Sequence, residues 1–167
     1  DYKMYYEDVD LGLRFRLLGH ETIQLAGAKV RHVGSTTAGK NSEFIKYYVS
    51  RNRIWTFIRC VPGSLFAACL PLMILSIVTR LCFSIFAGDT STKLKAFFDA
   101  FRRLFRIWND RKVIQKARKS SVLQFGSDMT WSIGKLILRS SDCRPISPEK
   151  FSKEPGAPFQ AGGLDGS

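Results

Sequence analysis

The chain has 167 residues, the length of one ordinary domain, and its 45% hydrophobic content is that of a globular protein. A net charge of +12 and a pI near 9.9 call for an anionic partner, whether nucleic acid, anionic lipid or phosphorylated substrate. The cysteines, Cys60, Cys69, Cys82 and Cys143, form no CxxC pair, which weighs against a zinc site or a disulfide framework. Three of them lie in or beside an apolar stretch and read as small buried or lipid-facing side chains in a reducing, cytoplasmic compartment.

No charged-then-apolar signal peptide opens the chain. It starts at Asp1 and runs from Tyr2, Tyr5 and Tyr6 straight into Glu7 and Asp8, as the middle of a domain does, so a fragment is expected. The spacing predicts a helix over 8–18, with acidic residues in its first turn, Asp10 and Arg14 spaced i,i+4, and Gly19 as its stop. Two short strands, 22–26 and 29–33, are split by Gly27, and 34–42 is loop. A helix over 43–59 carries Tyr47, Tyr48, Ile54, Trp55 and Ile58 among basic residues.

The stretch 61–87 is strongly apolar with one charge, Arg80, and is interrupted by Pro62, Gly63 and Pro71. About 20 apolar residues span a bilayer. Two readings stay open, a span or a bent helical pair lying in the interface. Over 92–119, Leu94, Phe97, Phe98, Phe101, Leu104, Phe105 and Trp108 fall on one helical face, with Lys93, Lys95, Arg102, Arg103 and Arg106 mostly elsewhere. Aromatic bulk opposite a basic face describes a helix on an anionic membrane. Phe97, Phe101, Arg103, Phe105 and Trp108 are its expected membrane contacts. One more helix is expected within 120–140, and the Pro- and Gly-rich 141–167 reads as a disordered tail.

Glu7, Asp8 and Asp10 put three carboxylates at a helix start, where the macrodipole stabilises negative charge, so spacing alone reads as capping. A wider pattern adds to this. Glu7 to His20 reads EDVDLGLRFRLLGH; Ala28-Lys29-Val30-Arg31-His32-Val33-Gly34 follows, then Ser35-Thr36-Thr37-Ala38-Gly39-Lys40, then Tyr47-Tyr48-Val49-Ser50-Arg51-Asn52-Arg53-Ile54-Trp55. In this order the segments resemble the family 2 glycosyltransferases, closest to the rhamnosyltransferase-like members. The resemblance covers 2–59 well and extends loosely to about 119.

That resemblance implies an α/β fold of the GT-A type, of which this chain is the C-terminal part. Residues 1–42 would close the catalytic domain and 43–119 would be a helical membrane-associating extension, so that the chain itself is mostly α-helical with two short strands. It implies that Asp8 is the catalytic base, taking the proton of an acceptor hydroxyl as that oxygen attacks the anomeric carbon, with inversion. Glu7 would flank the site, while Asp10 supports the helix start. His32 would ligate a divalent metal, Mg or Mn, on the nucleotide diphosphate. Lys40, Arg51 and Arg53 would contact the diphosphate, and the loop around 36–40 would close over the donor. The family's Asp-x-Asp and nucleotide-binding half have no counterpart here, so most of the metal site would lie elsewhere and the chain alone would be inactive.

The implied reaction moves a sugar, such as rhamnose, from a nucleotide-diphosphate donor to a lipid-linked or polysaccharide acceptor at the cytoplasmic face of a membrane. The competing reading is a non-catalytic membrane-surface binding module, in which Asp8 and His32 are dispensable while Phe101 and Arg103 matter. Nucleic acid is not the expected partner, because no recognisable nucleic-acid module accompanies the charge and 61–87 argues against one.

Overall fold

The computed structural model describes residues 2, 4–22 and 42–131, which form six helices. Local chemistry sets their ends. Helix α1 (Glu7–Leu17) has Glu7, Asp8 and Asp10 in its first turn and Arg14 and Arg16 in its last, complementing its dipole at both ends. It stops at Gly19, whose φ of 86° suits a residue without a Cβ. Helix α2 (Glu43–Cys60) starts where the Ser42 hydroxyl accepts the Ile45 N–H. Pro62 separates it from α3 (Gly63–Ala87), which ends at Gly88 in the left-handed region. Then come α4 (Thr90–Arg102), α5 (Leu104–Lys116) and the short α6 (Val122–Ser127), capped by the Ser121 hydroxyl. Residues 1–129 form one unit; of the second unit, 130–167, only Thr130 and Trp131 are described.

The core forms where α2 packs on α4 and α5. Ile54, Trp55 and Ile58 meet Phe97, Ala100 and Ile107. The Trp55 indole N–H donates to the Ala100 carbonyl at 3.2 Å, which satisfies its buried polar end. Arg111 of α5 donates to the carbonyls of Ile58 and Val61, closing the C-terminus of α2, and stacks on Phe66 and Trp108. A second cluster joins Leu17, Cys60 and Phe125. There the backbone N–H groups of Lys119 and Ser120 donate to the Leu17 carbonyl and tie the end of α1 to the α5–α6 connection.

Helix α3 behaves differently. Met73, Ile77 and Leu81 pack against the core, but Leu72, Ile74, Leu75, Val78, Phe83 and Phe86 face outward. The helix is one element of 25 residues, with Pro71 accommodated inside it, rather than a bent pair. At 1.5 Å per residue it is about 37 Å long, against a hydrocarbon thickness of about 30 Å. It is long and apolar enough to cross a membrane.

The α/β GT-A expectation is corrected here. No strand occurs among the described residues, and every apolar face they carry is buried against another helix or turned outward, with no sheet to receive it. The two expected strands, 22–26 and 29–33, lie outside the described residues apart from Thr22, which belongs to no element. The helix expected over 92–119 is two helices, broken at Arg103 (φ −100°, ψ 14°). Residues ten apart on one straight helix lie about 80° apart around it, at 3.6 residues per turn. The break lets both Phe97 and Ile107 enter the core, so the expected membrane contact Phe97 is an inward-facing residue. The expected additional helix at 120–140 is described as α6 alone, and 132–140 lies outside the described residues.

Candidate functional site

The backbone just ahead of α1 is strained. Tyr5 (φ 64°) and Tyr6 (φ 69°) both occupy the left-handed region, which costs bulky residues about 1–3 kcal/mol each. Such a turn persists only where its surroundings over-determine it. Here the determinant is Asn52 of α2, wholly buried, whose side-chain amide donates to the carbonyls of Met4 and Tyr5 at 2.8 Å each. The Asn52 Oδ1 in turn accepts from Arg51 Nε and Nη2 at 3.0 and 2.9 Å. The Arg51 guanidinium lies 4.2 Å from the Trp55 ring centroid and 4.7 Å from that of Tyr48. The Arg-Asn pair of α2 thus holds the turn that delivers Glu7 and Asp8 to the start of α1.

Asp10 fixes the other side of that turn. It is 1% exposed and receives Arg14 Nε at 2.8 Å, the Tyr2 hydroxyl at 3.1 Å and the Cys60 thiol at 3.4 Å, with Arg59 Nε at 3.9 Å. Burial pushes the pKa of both Tyr2 and Cys60 well up, and the Asp10 carboxylate adds to this, so both stay protonated and able to donate. Tyr2 also shares a hydrogen bond of 2.8 Å with Thr56. One acidic side chain of the run is therefore consumed in joining α1 to α2.

Glu7 and Asp8 are left exposed. One Asp8 oxygen accepts the Val9 N–H at 2.8 Å, and its second oxygen has no partner among the described residues. A carboxylate with one oxygen held by its own helix and the other open to solvent can accept a proton from a hydroxyl brought against it.

The remaining expected site residues separate into three groups. His32 and Lys40 lie outside the described residues. Arg51 is buried and engaged as above. Arg53 is half-buried, with Nε and Nη2 unpartnered; burial lowers its pKa, and the nearby charge of Arg80 lowers it further. Those two donors are unpartnered, whereas Nε and Nη2 of Arg51 are taken by Asn52. Among the described residues no group of three or more His, Cys, Asp or Glu side chains is placed to hold a metal ion, so the metal implied by the resemblance has no site there and no step is routed through it. Of the expected membrane contacts, Phe101, Phe105 and Trp108 present exposed ring surface and Arg103 is exposed.

Sequence reasoning missed Asn52, although it stands in the Arg51-Asn52-Arg53 run that carries the resemblance. A detectable signal was present: asparagine is a poor residue for a helix interior unless a tertiary partner repays it. Tyr2 was likewise noticed without a role, since its hydrogen-bond partners are Thr56, 54 residues away in α2, and Asp10 of α1. The chain matches no family model, no curated protein and no solved structure.

Proposed function

We propose that this chain carries the catalytic base and the acceptor side of an inverting sugar transferase of the family 2 type that its sequence resembles. Asp8 takes the proton from the acceptor hydroxyl while that oxygen attacks the anomeric carbon and the nucleotide diphosphate departs. Glu7 orients the acceptor. The donor is a nucleotide-diphosphate sugar, of which a deoxyhexose such as rhamnose is the closest fit to the resemblance, and the acceptor is a lipid-linked or polysaccharide glycan at the cytoplasmic face of a membrane. The outward apolar side of α3 keeps the site beside that surface.

The observation that carries this reading is the strained Tyr5-Tyr6 turn clamped by buried Asn52. Backbone strain held by a dedicated buried network is typical of sites where geometry serves chemistry, and a plain helix cap needs none of it. The test is sugar transfer by the protein as its gene encodes it, in membranes, from nucleotide-diphosphate deoxyhexoses. Asp8→Asn is expected to lower kcat by about 10²–10⁴-fold, the usual share of a general base, with stability lowered by no more than about 1 kcal/mol, the worth of an exposed first-turn carboxylate. Undiminished transfer by that variant sinks the assignment. It would leave the non-catalytic membrane-surface module, which the outward face of α3 favours independently.

A further inference from the structure

Between α2 and the end of α4 lies a cleft of about 240 Å³ lined by Tyr47, Arg51, Asp99, Arg102 and Arg103. Three guanidinium groups share it with one carboxylate. That carboxylate is occupied: Asp99 accepts the Tyr47 hydroxyl at 2.6 Å. Burial, then the hydrogen bond to Asp99, raises the pKa of Tyr47, so the phenol stays a donor. Arg51 is 7% exposed, lies against aromatic rings and donates to Asn52, so solvent screens its charge little. The side chains of Arg102 and Arg103 have no ion-pair or hydrogen-bond partner among the described residues. Cations at a helix C-terminus offset its dipole, which accounts for Arg102 and Arg103 singly. With the third guanidinium of Arg51 beside them, three positive charges face the single carboxylate of Asp99, and the net excess of two favours a further anion.

The surface next to the cleft says which anion. Phe98, Phe101 and Phe105, adjoining Arg102 and Arg103 in sequence, are all largely exposed. An apolar stripe beside a basic cleft matches the boundary between acyl chains and headgroups. The cleft is smaller than the roughly 300–1,000 Å³ of sites that enclose drug-sized ligands. It suits a compact group rather than a nucleotide sugar. A terminal phosphate offers three acceptor oxygens, and guanidinium forks bind such oxygens in pairs.

We infer that this cleft is a binding site for the phosphomonoester headgroup of a membrane lipid, held by Arg102 and Arg103 with the buried charge of Arg51 behind them, while Phe98, Phe101 and Phe105 enter the acyl boundary. The inference rests on the membrane-facing reading of α3 and is independent of sugar transfer.

The test is co-sedimentation of the protein with phosphatidylcholine vesicles containing either phosphatidic acid or, at matched surface charge, phosphatidylglycerol. The doubly substituted Arg102→Gln/Arg103→Gln is expected to bind phosphatidic acid vesicles at least about tenfold more weakly, the worth of one charge-assisted hydrogen bond, and phosphatidylglycerol vesicles little changed. Lys112→Gln/Lys116→Gln, which removes two exposed charges of α5 that do not line the cleft, is expected to shift both lipids slightly and alike. Circular dichroism confirms folding of both variants. Equal losses by the two double variants, or equal losses on the two lipids, overturn the site in favour of diffuse charge. Inorganic phosphate that binds the protein without vesicles and does so as tightly as the lipid headgroup overturns the lipid source. Sugar transfer is assayed separately from vesicle binding, so a loss of one without the other shows which of the two readings has failed.

Discussion

Helices α2 and α3 are neighbours in the chain, joined only through Val61 and Pro62, and they invert the usual relation between polarity and burial. Helix α2 is rich in polar and charged side chains, yet Ser50, Arg51, Asn52 and Thr56 are buried in it beside Ile54, Trp55 and Ile58. Helix α3 is almost wholly apolar, yet Ser84 alone of its residues is buried. In water, an outward face of Leu72, Ile74, Leu75, Val78 and Phe83 forfeits the burial that drives folding. In hydrocarbon it forfeits nothing. The contrast teaches that apolar content identifies what a helix tolerates as solvent, while burial in this protein follows from specific partners: Asn52 for two strained carbonyls, Trp55 for the Ala100 carbonyl, Thr56 for Tyr2.

The largest expected effect tests the α2 side. Trp55→Ala removes the centre of the core and the stacking partner of Arg51, and is expected to cost about 3–5 kcal/mol, as large-to-small core substitutions of aromatics do. Chemical denaturation in detergent followed by circular dichroism measures it. A cost below about 1 kcal/mol, within the range of ordinary surface substitutions, would mean that α2 is not the packing centre.

The α3 side gives the next effect. Leu75→Lys changes an outward residue and is expected to leave the packing of α2 on α4 and α5 intact. It should disfavour membrane insertion by about 2.5–3.5 kcal/mol, the cost of a lysine at mid-helix on insertion scales. Resistance to carbonate extraction reports this, and unchanged resistance would place α3 outside the hydrocarbon and dissolve the contrast.

The smallest effect sits at the junction of the two regions. Asp89, between α3 and α4, is buried and takes Lys93 at 2.8 Å and Lys46 of α2 at 3.0 Å. The hydrogen bond from Lys93, then that from Lys46, holds its pKa below the ordinary 3.8. A depressed carboxylate contributes stability that is fully present above its unfolded value and is lost as pH falls through the folded one. Stability is therefore expected to decline below about pH 3.8 by an amount that Asp89→Asn removes, read from acid titration of the helical signal; a variant with the same acid slope would dismiss the junction.

The helical part of the fold was largely legible. Gly19, Ser42, Pro62 and Gly88 punctuate the chain where helices start or stop, because a left-handed turn, a hydroxyl cap and a missing N–H are local requirements. The break at Arg103 was not, since no Gly or Pro marks it; it serves a contact between Ile107 and α2 that no local rule contains. The α/β expectation came from family likeness rather than from the periodicity of the described residues, and the described residues answer only to periodicity. In the candidate site, the exposure of Glu7 and Asp8 and the burial of Asp10 could not be separated by spacing, because adjacent carboxylates on a first helical turn differ only in what α2 brings against them.

By itself the sequence determined where most helices run, that 61–87 can lie in hydrocarbon, and that the chain is basic enough to seek anions. These follow from terms summed over neighbouring residues: capping, apolar length and net charge. Tertiary structure alone decided that Asn52 clamps a strained turn, that Asp10 is structural while Asp8 is open, and that Arg51, Arg102 and Arg103 share one cleft. Each of those depends on groups some 40 or more residues apart meeting within hydrogen-bond or contact distance, and such meetings are set by how whole helices pack.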